Sequence, residues 1–197
     1  MKNIKVKLDQ NGDIPHTKLN HIPNVEVELL LKTEPQQTNI PSKNIKLIVY
    51  DFDGVMTDNK VYIDQMGHES VRTNRADGMA LGLLSAMGFK QIILSSEENP
   101  VVSKRAEKLK IDCIHGTKDK LKTLKKYLTD NNIDKNKVVF VGNDLNDKAV
   151  MQYIGMPAAP KDAADEILEI AQFIIPKKGG DGVVRELYHI IKKTRNA

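Results

Sequence analysis

Two aspartates separated by one residue come directly after an apolar stretch of the chain. Asp51 and Asp53 follow residues 45–50, whose sequence is IKLIVY. Alternate residues at the end of an extended strand share a face, so both carboxylates can flank one phosphorus atom. One can attack it as a nucleophile, and the other can protonate the leaving oxygen and then activate water against the aspartyl-phosphate. The pair therefore predicts phosphoryl transfer.

Polar side chains also follow the next three apolar runs. They are Ser95 and Ser96 after the second run, residues 117–120 with Lys120 after the third, and Asn143, Asp144 and Asp147 after the fourth. In a parallel sheet such strand ends meet at one edge, where ligands bind. Clustered carboxylates raise one another's pKa unless a cation shares them, and Mg²⁺ prefers oxygen ligands of this kind. The sequence therefore predicts a site for a divalent metal and a phosphate.

The serines and the lysine have separate tasks in such a site. The Ser95 hydroxyl and the Ser96 N–H would hold phosphoryl oxygens, while Lys120 would neutralise charge on the nucleophile and on the transferring group. We predict Thr117 as the N-cap of the next helix, which puts Lys120 in the first turn, where the helix dipole disfavours a cation. A lysine there is easier to explain if it meets a phosphate.

The elements that would position these residues alternate along the chain between short apolar runs and helical patterns. The runs are residues 45–50, 91–95, 112–115, 137–142, 156–159 and 172–175, and the helices are residues 77–87, 101–110, 149–154, 162–171, 183–191 and one striped by Leu121, Leu124 and Leu128. This alternation predicts a Rossmann-like α/β fold, a parallel sheet with helices on both faces. Residues 61–72 break the alternation and predict a β-hairpin flap that turns at residues 65–67.

Residues 1–44 differ from the rest of the chain. They contain four of the eight prolines and six asparagines, with one strand-like stretch at residues 25–31. We therefore predict an extended N-terminal arm or linker at residues 1–44 and a catalytic domain at residues 45–197.

Composition excludes several classes of protein. With 30 Lys and Arg against 26 Asp and Glu, the net charge is only +4, so we expect neither a nucleic-acid partner nor a membrane partner. No apolar run approaches the ~18 residues needed to span a bilayer, and Cys113 is the single cysteine. The five histidines lack any metal-ligand spacing, so we expect no zinc. We expect a cytoplasmic protein.

Four motifs in order resemble those of the haloacid dehalogenase superfamily of phosphohydrolases. They are DFDGVMT at residues 51–57, Ser95, DKL at residues 119–121 and GNDLND at residues 142–147. The segments RADGMALGLL (75–84), NPVVSKRAEKLKI (99–111) and KKGGDGVVRE (177–186) resemble, more narrowly, three sugar-acid groups. These groups are the 3-deoxy-manno-octulosonate 8-phosphate phosphatases, the nonulosonate 9-phosphate phosphatases and the phosphatase-like domain of sialic-acid cytidylyltransferases.

The resemblance implies a role for each matching position. Asp51 would be the nucleophile and a Mg²⁺ ligand, Asp53 the general acid and base and a ligand through its carbonyl, and Asp144 the third protein ligand. Asp147 and Asn143 would hold these ligands in position without binding the metal themselves. The phosphate-binding roles argued above for the serine and the lysine are implied as well. The implied reaction is Mg²⁺-dependent hydrolysis of the terminal phosphate of a 2-keto-3-deoxy sugar acid.

Relatives in this superfamily often insert a cap domain between the motifs, but here only 43 residues separate Asp51 from Ser95 and 23 separate Lys120 from Asp144. We therefore predict a capless enzyme, which must act on exposed phosphates or borrow a lid from a neighbouring subunit to exclude water. The resemblance implies a homotetramer that shares its sites in this way. The hairpin at residues 61–72 and the segment at 177–182, with Lys177 and Lys178, are the candidates for the lid that closes a neighbour's site.

Other interpretations remain open at this point. Arg75 can bind a substrate carboxylate or form an ion pair at a helix entry, and the segment at 177–182 can be only a turn. Asp144 and Asp147 can be acids that cap a helix. The whole chain can be a non-catalytic oligomerisation module derived from a cytidylyltransferase fusion, a signalling receiver, or a phosphatase for larger exposed phosphates.

Overall fold

The structure, a computed structural model, describes residues 40–195 and contains one large sheet and one hairpin. The strands are β1 (Leu47–Tyr50), β2 (Tyr62–Ile63), β3 (Glu69–Ser70), β4 (Lys90–Leu94), β5 (Asp112–Ile114), β6 (Val138–Val141), β7 (Met156–Pro160) and β8 (Phe173–Ile175). The large sheet is parallel, in the order β5-β4-β1-β6-β7-β8. Each apolar run predicted from the sequence forms one of its strands.

Helices cover both faces of this sheet. They are α1 (Arg75–Ala86), α2 (Val101–Leu109), α3 (Lys120–Asp130), α4 (Lys148–Tyr153), α5 (Asp165–Leu168) and α6 (Val183–Arg195). Ile48 and Tyr50 of β1 belong to one apolar core with α1, α2 and α6. Leu47 and Val49 belong to the other, with α3, α4 and α5. Because successive strand residues point to opposite faces, both faces of β1 are buried, and the predicted Rossmann-like α/β fold is confirmed.

The strand order places the candidate residues at the centre of one sheet edge. From β1 the chain adds β4 and β5 on one side, then returns to add β6, β7 and β8 on the other. A ligand crevice forms at such a reversal, beyond the carboxyl ends of the strands. Asp51, Ser95 and Asn143 follow β1, β4 and β6, so they come together there.

The buried face of α1 differs from the predicted one. The helical spacing of Met79, Leu83, Leu84 and Met87 in the sequence predicts an apolar stripe on this helix, but Met79 is 65% exposed and Leu83 is 37% exposed. The buried face holds Asp77, Ala80, Leu81 and Leu84, and α1 packs against α6. Asp77 lies on this face because its Oδ1 accepts a hydrogen bond from the Arg185 N–H at 2.8 Å, at the start of α6. Burial raises the pKa of Asp77 to about 6.

Other predicted helix boundaries also move. The helix expected at residues 162–171 is only Asp165–Leu168. Its predicted first residue is used elsewhere, since Asp162 Oδ1 accepts a hydrogen bond from the Gly179 N–H at 2.9 Å. At the other end, the Gln172 N–H donates to the Pro157 carbonyl and draws the chain back to the sheet. The last helix extends beyond the predicted Ile191 to Arg195.

The predicted hairpin is confirmed. The strands β2 and β3 pair antiparallel, with Tyr62 opposite Ser70. Asp64 Oδ1 accepts hydrogen bonds from the Met66 and His68 N–H groups and closes the turn. Gly67 has φ +79°, a left-handed conformation that glycine adopts without strain. Most of the hairpin's large apolar side chains are exposed, as follows: Val61, Tyr62, Ile63 and Met66.

The strand predicted at residues 25–31 and most of the predicted arm lie outside the described residues. Of the arm, the structure describes residues 40–44, where Ile40 is fully buried in the core with α6 and Ser42–Asn44 form a 3₁₀ turn. Within residues 40–195, every helix is too short or too polar to cross a bilayer.

Candidate active site

Asp51 lies buried at the end of β1, and the loop after it folds back on itself. The Asp51 N–H donates to the Val141 carbonyl and continues the sheet ladder, while Asp51 Oδ1 accepts from the Phe52 N–H at 2.7 Å. The Met56 and Thr57 N–H groups both donate to the Phe52 carbonyl. Thr57 Oγ1 donates to Asp53 Oδ1 at 3.4 Å and accepts from the Gly54 N–H at 3.2 Å. The loop therefore fixes both aspartates on a short, internally bonded turn.

Lys120 joins two carboxylates from different strand ends. Its Nζ lies 2.8 Å from Asp51 Oδ1 and 2.7 Å from Asp147 Oδ1, and its side chain is buried. Burial lowers the pKa of Lys120, but attraction by the two carboxylates outweighs burial and holds the pKa above its ordinary value. Lys120 is the first residue of α3. The N-cap of this helix is Asp119, whose side chain accepts a hydrogen bond from the Lys122 N–H.

The N-cap prediction for this helix was therefore wrong, although Lys120 does lie in the first turn. Thr117 Oγ1 instead forms a hydrogen bond with Thr123 Oγ1 at 2.6 Å, and the two residues are six positions apart in the chain. Asp119 is the N-cap because its carboxylate accepts the Lys122 N–H of the first turn, and aspartate is a stronger N-cap residue than threonine. The cation at the dipole's positive end is stabilised by Asp51 and Asp147.

The fourth motif forms a 3₁₀ turn, Leu145–Asp147, after β6. Asp147 is fully buried, and its Oδ2 accepts from the Asn143 N–H at 2.9 Å. Asp144 is exposed, and its Oδ1 accepts from the Leu145 N–H at 2.7 Å. The interpretation of these acids as caps is thus correct for their backbone bonds, yet Asp144 also faces the pocket and Asp147 also binds Lys120.

Asn143 connects this turn to the first motif. In the amide orientation that satisfies both partners, its side-chain nitrogen donates to the Asp53 carbonyl at 2.8 Å and to Asp51 Oδ2 at 3.3 Å. Its backbone and its side chain are therefore both engaged, and Asn143 holds Asp51 and Asp53 against the end of β6.

The two serines lie at the end of β4, beside β1. Ser95 is buried, and its Oγ accepts from the Glu97 N–H at 3.1 Å, which leaves its hydroxyl proton able to reach an acceptor. Ser96 is half-buried. Tyr50 of β1 is paired with Ile93 of β4. Continuing this register by two residues places Ser95 beside Phe52, the residue that follows Asp51.

A pocket of about 310 Å³ opens at this edge of the sheet. Three carboxylates and three amides line it, and these residues are Asp51, Asp53, Asn59, Asn143, Asp144 and Asn146. Sequence reasoning missed Asn59 and Asn146. The signals available for them were that Asn146 lies inside the fourth motif and that Asn59 lies two residues beyond the first motif.

The site carries more negative charge than its lysine can balance. Burial, together with Asp147, raises the pKa of Asp51 to about 8, against the opposing effect of Lys120. Burial and the charge of Glu97 also raise the pKa of Asp53. One ammonium group is shared by two carboxylates, while the other two lining carboxylates face the pocket.

This donor set fits a hard divalent cation, which takes oxygen ligands and keeps waters. Within residues 40–195, no three His, Cys, Asp or Glu side chains converge as a closed metal cluster. The predicted set of two carboxylates and the Asp53 carbonyl needs no such cluster, because Mg²⁺ completes its octahedron with water and substrate oxygens.

Arg75, Lys177 and Lys178 are exposed and do not line this pocket. Arg75 is the first residue of α1 and forms no ion pair within the described part of the chain. Their predicted substrate contacts stay predictions.

Gly179 and Gly180 follow the two lysines and pack against the loop at residues 51–58, which carries Asp51 and Asp53. We call this loop the catalytic loop. The Gly180 N–H donates to the Val55 carbonyl at 3.1 Å, and the Asn74 amide donates to the Gly180 carbonyl at 3.2 Å. A Cβ atom at Gly180 would lie 2.6 Å from the Asp58 nitrogen, and one at Gly179 would overlap the Gly54 carbonyl. This glycine turn, residues 179–180, is therefore a packed support of the loop.

Comparisons with known proteins place this geometry among hydrolases. A family model described as haloacid dehalogenase-like hydrolase matches residues 86–187. The 3-deoxy-D-manno-octulosonate 8-phosphate phosphatase of Yersinia pestis is 32% identical over 149 residues, which span 75% of this chain and 80% of that protein.

Two solved structures agree with the sequence match. A HAD family hydrolase from Streptomyces avermitilis has a TM-score of 0.74 at 39% identity, over 76% of this chain and 86% of that one. The 3-deoxy-D-manno-octulosonate 8-phosphate phosphatase of Moraxella catarrhalis, solved in complex with magnesium, phosphate and a KDO molecule, has a TM-score of 0.76 at 28% identity, over 79% of this chain and 90% of that one. The similarity thus covers the fold.

Proposed function

This chain belongs to the haloacid dehalogenase-like hydrolases and is a phosphoric monoester hydrolase, and from that premise we propose that it releases the terminal phosphate of a 2-keto-3-deoxy sugar acid with Mg²⁺ as cofactor. The substrates we have in mind are an octulosonate 8-phosphate and a nonulosonate 9-phosphate. The observation that carries the proposal is the Lys120 bridge between Asp51 and Asp147, in a chain 32% identical to an octulosonate phosphatase.

The reaction follows from the positions of the two aspartates. The Asp51 carboxylate, whose charge Lys120 and a bound cation would stabilise, attacks phosphorus, the bond from phosphorus to the sugar oxygen breaks, and Asp53 gives its proton to that leaving oxygen. Asp53 then takes a proton from water, whose oxygen attacks the phosphorus of the aspartyl-phosphate and releases inorganic phosphate. The raised pKa of Asp53 suits a group that must first be an acid.

The other residues stabilise charge during this exchange. Lys120 lies against Asp51 and faces the negative charge that builds on the transferring group. The Ser95 hydroxyl and the Ser96 N–H would bind phosphoryl oxygens from the neighbouring strand end. Asp147 and Asn143 hold Lys120 and the two aspartates in place.

Asp51, the Asp53 carbonyl and Asp144 would hold the Mg²⁺ ion. Lys120 and the metal would neutralise the phosphate, and Ser95 would donate a hydrogen bond to it. When bound, the cation supplies Lewis-acid stabilisation of the phosphoryl oxygens. The oxygen-only donors that line the pocket support this assignment.

Asp144→Ala should weaken metal binding before it alters the chemical step. We expect the Mg²⁺ concentration for half-maximal rate to rise at least about tenfold, with excess Mg²⁺ recovering part of the rate, because removing a partner of a bound ion mainly costs affinity. The measurement is a Mg²⁺ titration of phosphate release after EDTA treatment. Asp130→Ala, an exposed carboxylate paired with Lys126, is the matched control. A rate independent of Mg²⁺ would remove Asp144 from the metal ligands.

A phosphate-release screen tests the proposed function itself. Octulosonate 8-phosphate, nonulosonate 9-phosphate, nucleotides and phosphopeptides are compared at equal concentration with Mg²⁺. We expect kcat/KM to be highest for one of the two sugar acids. A higher value for phosphopeptides would favour the alternative of a phosphatase for larger exposed phosphates. No cap domain lies between Asp51 and Ser95 or between Lys120 and Asp144, so the structure allows such substrates to enter.

The non-catalytic alternative makes a different prediction in the same screen, since it requires no turnover of any substrate. The intact ion-pair geometry of Asp51, Lys120 and Asp147 argues against it. Buried charges cost free energy when they have no use, so a chain without activity would have little reason to keep three of them together.

A homotetramer with shared sites remains our proposal for excluding water from the open pocket. Lys177 and Lys178 are exposed next to the packed glycine turn, so they can pair with a carboxylate on a neighbouring subunit's substrate. Arg75, also exposed, would help to fix the same carboxylate. The exposed apolar hairpin offers a surface for such an assembly.

Lys177→Ala with Lys178→Ala should reduce the preference for a sugar-acid phosphate over an aryl phosphate. The expected loss is roughly 1 to 3 kcal/mol in the ratio of kcat/KM values, the usual value for hydrogen bonds to charged groups. Lys192→Ala with Lys193→Ala, another exposed lysine pair, is the control. An unchanged ratio, or a fully active monomer by light scattering, would assign the lysines to a simple turn.

A further inference from the structure

Two of the three amides that line the pocket have no task in the chemistry proposed above. The side-chain nitrogen of Asn143 already donates hydrogen bonds to Asp51 and to the Asp53 carbonyl. Asn59 and Asn146 are both exposed, and among the described residues neither side chain makes a hydrogen bond within the protein. They approach the pocket from different elements, the loop after β1 and the 3₁₀ turn after β6.

Asn59 is held in a backbone conformation that side chains disfavour. Its φ is +60°, and the two other non-glycine residues with positive φ in the described range, Lys110 and Asn132, both end helices. A left-handed residue is common at a helix end, which explains those two. Asn59 follows no helix and instead lies where the loop after β1 lines the pocket. Strained residues cluster at ligand-binding sites, where they are retained for what their side chains contact.

The Asn59 backbone is also tied directly to the catalytic loop. Its N–H donates to Thr57 Oγ1 at 3.3 Å, and the same hydroxyl donates to Asp53 Oδ1. The Asn59 backbone therefore keeps a fixed position relative to Asp53, the group that protonates the leaving oxygen. Its side chain enters the pocket beside Asp53, on the leaving-group side of the phosphate.

Amide chemistry then selects the ligand. An amide offers both donors and an acceptor, which matches a hydroxyl group, whereas a carboxylate only accepts and a lysine only donates. The remaining lining residues are the three aspartates and the engaged Asn143. A neutral amide can bind a hydroxyl there without adding to the negative charge that the phosphate already meets.

We propose that Asn59 is a specificity-determining residue that binds a hydroxyl group of the substrate close to the phosphate, with Asn146 contacting the same polyhydroxylated chain from the opposite rim. The inference deepens the proposed function and rests on it for the identity of the sugar acid. The hydroxyl-binding role itself requires only a polyhydroxylated phosphate monoester.

Asn59→Gly is the informative variant because glycine adopts φ +60° freely, so only the side chain is lost. Asn132→Gly is its matched control. Asn132 has φ +55° and lies beyond the end of α3, beside Lys46 and Lys90, at the opposite edge of the sheet. Both changes should alter thermal stability equally, and only the first should alter substrate preference.

The measurement is the ratio of kcat/KM for octulosonate 8-phosphate to kcat/KM for p-nitrophenyl phosphate, which has no hydroxyl. We expect Asn59→Gly to lower this ratio about three- to tenfold, as for loss of one neutral hydrogen bond. Asn132→Gly should leave the ratio unchanged. An unchanged ratio in Asn59→Gly, or an equal fall in Asn132→Gly, would overturn the inference while leaving the proposed function standing.

The two hypotheses fail separately. If the wild-type protein ignores both sugar acids but hydrolyses another hydroxylated substrate such as ribose 5-phosphate, the proposed function is wrong. The same ratio measured with ribose 5-phosphate then decides whether Asn59 binds a hydroxyl.

Discussion

Asp51→Asn is expected to abolish phosphate release, with kcat falling at least ~10⁴-fold, or about 5.5 kcal/mol of added barrier. The amide has the shape of the carboxylate but cannot attack phosphorus. Lys120 keeps its second partner, Asp147, in this variant, so the buried charge is not left unpaired. Circular dichroism should therefore show an intact fold. Phosphate release from the best substrate of the screen measures the effect.

Asp53→Asn provides the comparison that separates the two roles. Its rate should fall to a similar extent on a sugar phosphate, whose alkoxide leaving group needs a proton. On p-nitrophenyl phosphate, whose leaving group needs no general acid, the first step should be spared while hydrolysis of the aspartyl-phosphate stays slow, so we expect a burst of one p-nitrophenol per enzyme. If either variant retained a tenth of the wild-type rate on the sugar phosphate, the two-aspartate mechanism would be wrong.

Lys120→Ala should cause the largest loss of stability of any single change in the site. It leaves Asp51 and Asp147, both buried, without their shared cation. Removing one partner of a buried ion pair typically costs about 3 to 5 kcal/mol of unfolding free energy. Urea unfolding in EDTA buffer measures the change, since bound metal would otherwise replace the lost positive charge.

Two further variants show whether charge pairing is the cause. Lys122→Ala removes an exposed lysine from the same helix and should change stability by less than about 0.5 kcal/mol. Adding Asp147→Asn to Lys120→Ala should recover part of the loss, because one unpaired charge disappears. If the double variant were as unstable as the sum of the single ones, Lys120 would act through packing alone.

The sequence predicted the sheet and most of the site because these depend on short-range patterns. Apolar runs fix the strands, and a parallel sheet brings the residues after its central strands together. The location of four site residues could be predicted because each follows an apolar run, and these residues are Asp51, Ser95, Lys120 and Asp144.

The errors concern features that depend on distant partners. Met79 and Leu83 have helical spacing, but α1 turns a different face towards α6, where Asp77 meets the Arg185 N–H. The shortened α5 reflects a bond from Asp162 to Gly179, far along the chain. Asn59 was missed because a positive φ leaves no trace in residue type beyond a general preference for asparagine.

The glycine turn at residues 179–180 has a consequence for the order in which the site is completed during synthesis. A nascent chain that ends at residue 175 already contains all four motifs and all eight strands. Its catalytic loop would still lack the support that Gly180 gives to Val55 and that Gly179 gives to Gly54. Because a chain is synthesised from the N-terminus onward, the catalytic loop reaches its final packing only after residues 179–180 have been added, later than every motif residue.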